Sequence, residues 1–160
     1  DMQSKVALAQ QFGAIEQGSI GDIQTVQNSL STLANCWVIA ASSTSLSSPQ
    51  VALATQKASE SSATLNSLSA QVDLYNNAIT AANNQIAVLQ NLESQALSVA
   101  SVADVQNVTQ AYASAQASGN FVKQADVTTA QQNRTTLQTQ MASLRQTTQS
   151  DQAQCTALGA

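Results

Sequence analysis

The chain has 160 residues, a net charge of −4 and only 9% charged residues, against about 25% in an ordinary soluble domain. Such a length suits one domain with a real core. The five basic residues, Lys5, Lys57, Lys123, Arg134 and Arg145, are scattered, so no stripe exists to neutralise a run of phosphates and nucleic-acid binding is not expected.

Ala, Gln, Ser, Thr and Asn fill most of the remainder, with one proline and five glycines. Ala and Gln favour helix and the breakers are few, so the composition predicts an all-α fold with amide and hydroxyl rather than ionic polar faces. The core should be thin, built from Leu, Ile, Val and Ala. The longest apolar stretch, Leu33 to Ala41, contains Asn35 and is too short for a transmembrane segment.

In chain order, Val6, Leu8, Phe12 and Ile15 open a weakly amphipathic run, and Ile23, Val26, Leu30, Leu33 and Trp37 then step by three and four along one helix seam. The first helix should span about 3 to 41, with a kink or break at GSIG, residues 18 to 21, where Ser19 and Asp22 are spaced as a helix start. A hydroxyl-rich loop over 42 to 48 follows, and Ser48-Pro49 reads as an N-cap before a second helix. Its seam runs through Val51, Ala54, Ala58, Ser61, Leu65, Leu68, Val72, Tyr75, Ile79, Ala82, Ile86 and Leu89, a coiled-coil-like heptad pattern.

At Glu93 the register shifts to Leu92, Ala96 and Val99, which marks overwinding or a bend. Ser101 with Asp104 forms a capping-box pattern before a helix of about 102 to 117, and Gly119 suits a left-handed cap at its end. The last helix should run from about 125 to 157. Its seam includes Arg134, Thr148 and Asp151, either exposed at an edge, the plainer reading, or paired inside the bundle.

Cys36 and Cys155 are the only cysteines. If the three long helices run up, down and up, the rise per residue places both thiols at the level of about residue 55, and residue 126 at the level of about residue 84. The two can then bond across the ends of an elongated three-helix bundle formed by 3–84 and 126–158. The leftover 85–125 doubles back as a helical-hairpin appendage. Such a disulfide contributes roughly 4 to 5 kcal/mol in the chain-entropy model and points to an oxidising, extracytoplasmic compartment: secreted, periplasmic or cell-surface. The alternative is two unrelated buried thiols. The chain starts at Asp1 rather than Met, which fits a trimmed secretory product and equally an artificial start. Trp37 reads as core packing beside the bridge rather than a ligand platform.

Chemistry is sparse. There is no histidine, so the usual zinc and di-iron sets are ruled out, and no cofactor is implied. The nine carboxylates never fall within four residues of one another, no serine has a well-placed base, and no Gly-rich phosphate loop occurs. No catalytic residues are identified, and the chain reads as a non-enzyme. The glycosylation sequons at Asn107 and Asn133 are of a number expected by chance in so Asn-, Ser- and Thr-rich a chain.

Two functions remain. One is a structural, adhesive or assembly protein that engages a protein partner or its own copies, with Tyr112, Phe121 and Val122 as the candidate partner surface in the hairpin. In its Gln/Asn/Ala-rich helices, inferred export and bundle with an appendage, the chain resembles the minor pilins at the tips of conjugative type IV secretion pili. That resemblance implies a three-helix bundle with a smaller appendage and a role in pilus assembly and host-cell contact. The alternative is a carrier of an apolar ligand such as a fatty acid between helices lined by Leu65, Leu68, Val72, Ile79, Ile86, Leu137 and Met141. The plainer reading of those side chains is that they fill each other's grooves.

Overall fold

A computed structural model describes residues Asp1 to Gly159. The fold is all-α: α1 (Met2–Ala41), α2 (Ser48–Leu97), α3 (Val102–Ser118) and α4 (Gln124–Ala157), with no strand among the described residues. No helix is long and apolar enough to cross a membrane, among the described residues.

The expected break at residues 18 to 21 does not occur; α1 is continuous. Ser19 and Ile20 are buried, at 1% and 2% exposure, and Ile23 is fully buried. Each glycine costs a helix about 1 kcal/mol relative to Ala, and the apolar burial on either side of the pair offsets that cost. Tertiary packing overrides the local signal.

The start of α2 also differs from expectation by one residue. Ser47, not Ser48, forms the cap: its N–H donates to Gln50 Oε1 at 2.9 Å, and the Gln50 N–H points back to Ser47 Oγ at 3.4 Å. This reciprocal pairing is a capping box built with Gln. Pro49 falls in the first turn of the helix, where its missing N–H has no partner to lose. The register shift at Glu93 leaves α2 intact, with Leu89 and Leu92 both buried on either side of the change.

At the head of α3 the sequence pattern is realised as read. Ser101 is extended (φ −143°, ψ 164°), its Oγ accepts from Asp104 N–H at 3.1 Å, and the Asp104 carboxylate accepts from Ala100 N–H at 3.2 Å. At its end the expectation fails: Gly119 is right-handed (φ −95°, ψ −7°), and Asn120 takes the left-handed conformation (φ 43°). Glycine is required at 119 for closeness instead, because a Cβ there would sit 2.5 Å from Ala115 O and 2.9 Å from the Phe121 ring. Asn is the non-glycine residue best suited to the left-handed region. Asp126 then caps α4 by accepting from Lys123 N–H at 2.8 Å.

The chain forms two compact units, to both of which α1, α2 and α4 contribute segments. One comprises Ser19–Leu74 and Thr135–Ala160. Its three helical segments are joined pairwise: Gln27 Nε2 to Ser69 Oγ at 3.3 Å, Lys57 Nζ to Asp151 Oδ2 at 3.4 Å, and the Cys36–Cys155 disulfide, with Cα atoms 6.3 Å apart. The bonded cysteines are those paired by counting helix rise. This unit holds the larger apolar side chains, with Trp37, Ile23, Val26 and Leu33 at 0–1% exposure. Trp37 is core, as expected. Thr148 is buried and bonds back to Leu144 O at 2.7 Å, and Asp151 is half-buried and paired with Lys57, so neither is a bare edge position.

The other unit comprises Asp1–Gly18 and Tyr75–Arg134 and contains the whole of the expected 85–125 appendage. Its buried set is smaller and more polar: Ala9, Ala82, Leu89, Leu92, Val127 and Ala130, with Glu16 and Gln85. The helix α3 has no buried residue at all. Half-buried Asp104, Val108, Tyr112 and Ala115 form its single inner stripe, at the spacing of one helix face.

Candidate functional site

Two features that could act on another molecule lie in the unit built from Asp1–Gly18 and Tyr75–Arg134. The first is the turn between α2 and α3. Leu97, Val102 and Val105 are exposed by 90%, 75% and 51%, which is uncommon for a cluster of large aliphatic side chains within nine residues. The turn is held firmly by the Ser101–Asp104 box, with Ser98 N–H bonded to Gln95 O at 3.1 Å. Next to it lies an apolar groove of about 350 Å³ lined by Met2, Ala96, Val99, Val105, Val108 and Tyr112. A shallower hollow of about 280 Å³ has Leu97, Met2, Asp1 and Glu93 in its wall.

The stretch of chain that forms this turn carries charge of one sign only. Residues 58 to 122 contain no lysine or arginine, while Glu93 and Asp104 flank the exposed aliphatics. Hydrogen bonds from Ser101 and from the Ala100 N–H hold the Asp104 carboxyl below its ordinary value. Lys5 is close enough to pair with Asp1, at 3.9 Å.

The second feature is a groove of about 470 Å³ bordered by Phe12, Glu16, Tyr75, Ala82, Gln85, Val122, Asp126, Ala130 and Asn133. α1 borders it with Phe12 and Glu16, while α2 and α4 contribute the small side chains Ala78, Ala81, Ala82 and Ala130, which fill little of the space between backbones. Gln85 is 7% exposed, and its Oε1 accepts from the Val122 N–H at 2.9 Å, which fixes the orientation of the amide. The other end, Nε2, is buried and has no partner. Glu16 is also 7% exposed, and burial pushes its carboxyl above the ordinary glutamate value.

Of the sequence-derived partner surface, Tyr112, Phe121 and Val122 are each only half-buried and all belong to this unit. Phe121 and Val122 share the lining of a groove of about 370 Å³ with Asp1, whose carboxylate Tyr112 meets. Tyr112 lines the groove beside the α2–α3 turn and donates its O–H to the Asp1 carboxylate, and burial raises its phenol above the ordinary value. Phe121 packs over Gly119, and Val122 borders the larger groove through which its N–H meets Gln85. None of the residues named for an apolar carrier, Leu65, Leu68, Val72, Ile79, Ile86, Leu137 or Met141, borders either groove; Leu68, Leu137 and Met141 are buried.

The sequence puts Val102 and Val105 on one apolar run with Val108 and Tyr112, yet both are exposed, because exposure depends on what covers them; sequence reasoning passed over Leu97, Glu16 and Gln85. The latter two left a signal. Phe12, Glu16, Ile20 and Ile23 step by four, four and three, and Ala82, Gln85 and Leu89 by three and four, so each polar residue occupies a seam position where an apolar one is the norm. No group of three or more metal-ligating side chains occurs among the described residues. No protein-family model matches the chain, and neither a curated protein nor a solved structure is similar to it.

Proposed function

We propose that this chain is a non-catalytic structural or assembly protein of the extracytoplasmic space, which docks a protein partner at the α2–α3 turn. The observation that carries the reading is the cluster of Leu97, Val102 and Val105, exposed by 90%, 75% and 51% on a well-capped turn. Ordered exposed aliphatics become favourable only when a partner covers them, at about 25 cal/mol per Å².

The charges select the partner's chemistry. Acidic Glu93 and Asp104, with no basic residue between 58 and 122, favour a surface that offers an apolar knob ringed by lysine or arginine. The same one-sided charge disfavours a second copy of this turn as the occupant. The Cys36–Cys155 disulfide fits an oxidising compartment. A tip subunit of a secretion pilus, the role implied by the minor-pilin resemblance, is the most specific form of this proposal.

A photo-crosslinking amino acid placed at position 97 in the producing cell tests it. Adducts with one protein at position 97 are expected, with none from the exposed position 55. They should be lost in a V102S/V105S background and weakened by added salt. Equal adducts at both positions, or none at 97, would defeat the assignment.

A further inference from the structure

The surface beside the α2–α3 turn bears on which partner docks there, given the docking role proposed above. Three hollows share walls: Met2 lines both the apolar groove at the turn and the hollow next to it, and Asp1 lines that hollow and the groove of about 370 Å³. They form one continuous surface, and its two ends differ in charge. At the turn, Leu97, Val102 and Val105 stand exposed beside Glu93 and Asp104. At the far end, Lys5 and Lys123 line the groove together with the apolar Leu8, Phe121 and Val122.

The chain has only five basic residues, and two of them, from distant parts of the sequence, meet at this one groove. Asp1, the acid in the same lining, is held by Lys5 at 3.9 Å and by the Tyr112 hydroxyl. Lys123 is exposed and has no ion pair among the described residues. An acidic, apolar half beside a basic, apolar half is self-complementary under a two-fold axis: the rotation lays the turn of each copy on the groove of the other, so every contact forms twice. Unlike charges meet, and the clash of two acidic turns is avoided. About twenty residues line the three hollows, close to the roughly 20–30 that one side of a stable interface uses.

We propose that the chain forms a two-fold symmetric homodimer in which the α2–α3 turn of each copy seats in the Lys5–Lys123 groove of the other. Leu97 enters the apolar part of that groove, and Lys123 faces the acids of the turn.

Sedimentation velocity of the intact, disulfide-bonded chain tests this over about 10 μM to 1 mM, a range that spans the affinities of small interfaces. A monomer–dimer equilibrium that weakens with added salt is expected. L97S should weaken it about hundredfold, because each dimer loses two buried leucines, and K123E about tenfold. Both positions are exposed, so neither change threatens folding. V38S, at an aliphatic side chain exposed by 53% in the other unit, should leave the equilibrium unchanged. Q95K adds a lysine at an exposed position beside the turn and should weaken dimers alone, whereas a mixture of Q95K with K123E should restore them, since each turn then meets a groove of opposite charge. Dimers that L97S or K123E leaves intact overturn the proposal, as does a mixture no more dimeric than its components. A chain that stays monomeric throughout, while position 97 crosslinks to a different protein in the cell, overturns the dimer and leaves the docking role standing.

Discussion

Gly13, Gly18 and Gly21 all lie inside α1, but they are not equivalent. A Cβ at 13 or 21 would meet nothing within 4 Å, whereas at 18 it would overlap the Arg134 guanidinium, whose nearest atoms lie 2.3–2.8 Å away. G13A and G21A should therefore each stabilise the fold by about 0.5–1 kcal/mol, the ordinary helix gain. G18A should gain less or lose, because Arg134 must leave its seat; denaturant midpoints of the three variants measure the difference. Trp37 makes a second residue-level case. It is fully buried with its Nε1 unpartnered, so volume rather than hydrogen bonding explains its presence. W37A should cost about 3–5 kcal/mol, and W37F clearly less, since it removes a donor that has no partner.

Glu16 adds a pH dependence of defined sign. Its carboxyl is raised by burial, so the folded state holds the proton more tightly than the unfolded chain. Stability must then fall as pH rises from the unfolded value of 4.5 through the higher folded value, and the penalty is complete above it. E16Q is expected to raise the melting temperature at neutral pH, with the advantage shrinking as pH drops towards 4.5. An advantage that does not change with pH would contradict this account. Asp104 runs the opposite way: its contribution is present above the ordinary aspartate value and is lost as pH falls through its lowered one.

At the level of elements, α3 stands apart because it buries no residue, so its order rests on its caps and one half-buried stripe. Removing the N-cap with S101A should cost the helix about 0.5–2 kcal/mol. The loss should appear as faster amide exchange within α3 and hardly at all in global melting, since local opening of a peripheral helix need not involve the core. Global destabilisation of the same size would show that α3 is part of the cooperative unit. The longer helices answer to different forces. Each carries a seam of apolar residues over many turns, so tertiary burial, not capping, decides where they continue. The intact α1 across residues 18 to 21 shows it.

For the molecule as a whole, the Cys36–Cys155 disulfide closes a loop of 119 residues around a thin core. In the chain-entropy model such a closure contributes roughly 4 to 5 kcal/mol. A C36S/C155S variant should keep its helical spectrum under native conditions but unfold at much lower denaturant concentration. An unchanged midpoint would mean that the unfolded chain is not what the bridge constrains. The two units also divide the apolar material unevenly. Trp37 and the larger aliphatics fill the disulfide-bearing one, while alanines with Glu16 and Gln85 occupy the other. The groove of about 470 Å³ lies in the second.

The sequence by itself determined the helices and the sulfur pairing. Both follow from short-range regularities: the three-and-four spacing of apolar residues, a Ser-x-x-Asp cap at 101, and a fixed rise per residue that makes helices rulers for placing Cys36 against Cys155. Only the tertiary structure decided the rest. It kept α1 unbroken through two glycines by burying Ser19 and Ile20, and it put the left-handed position at Asn120 while using Gly119 for its missing side chain, where Phe121 and Ala115 leave no room. It also left Leu97 bare and gave Gln85 half of its hydrogen bonds. Those outcomes depend on which atoms from distant parts of the chain arrive at one place, and a pattern along a single helix carries no information about its neighbours.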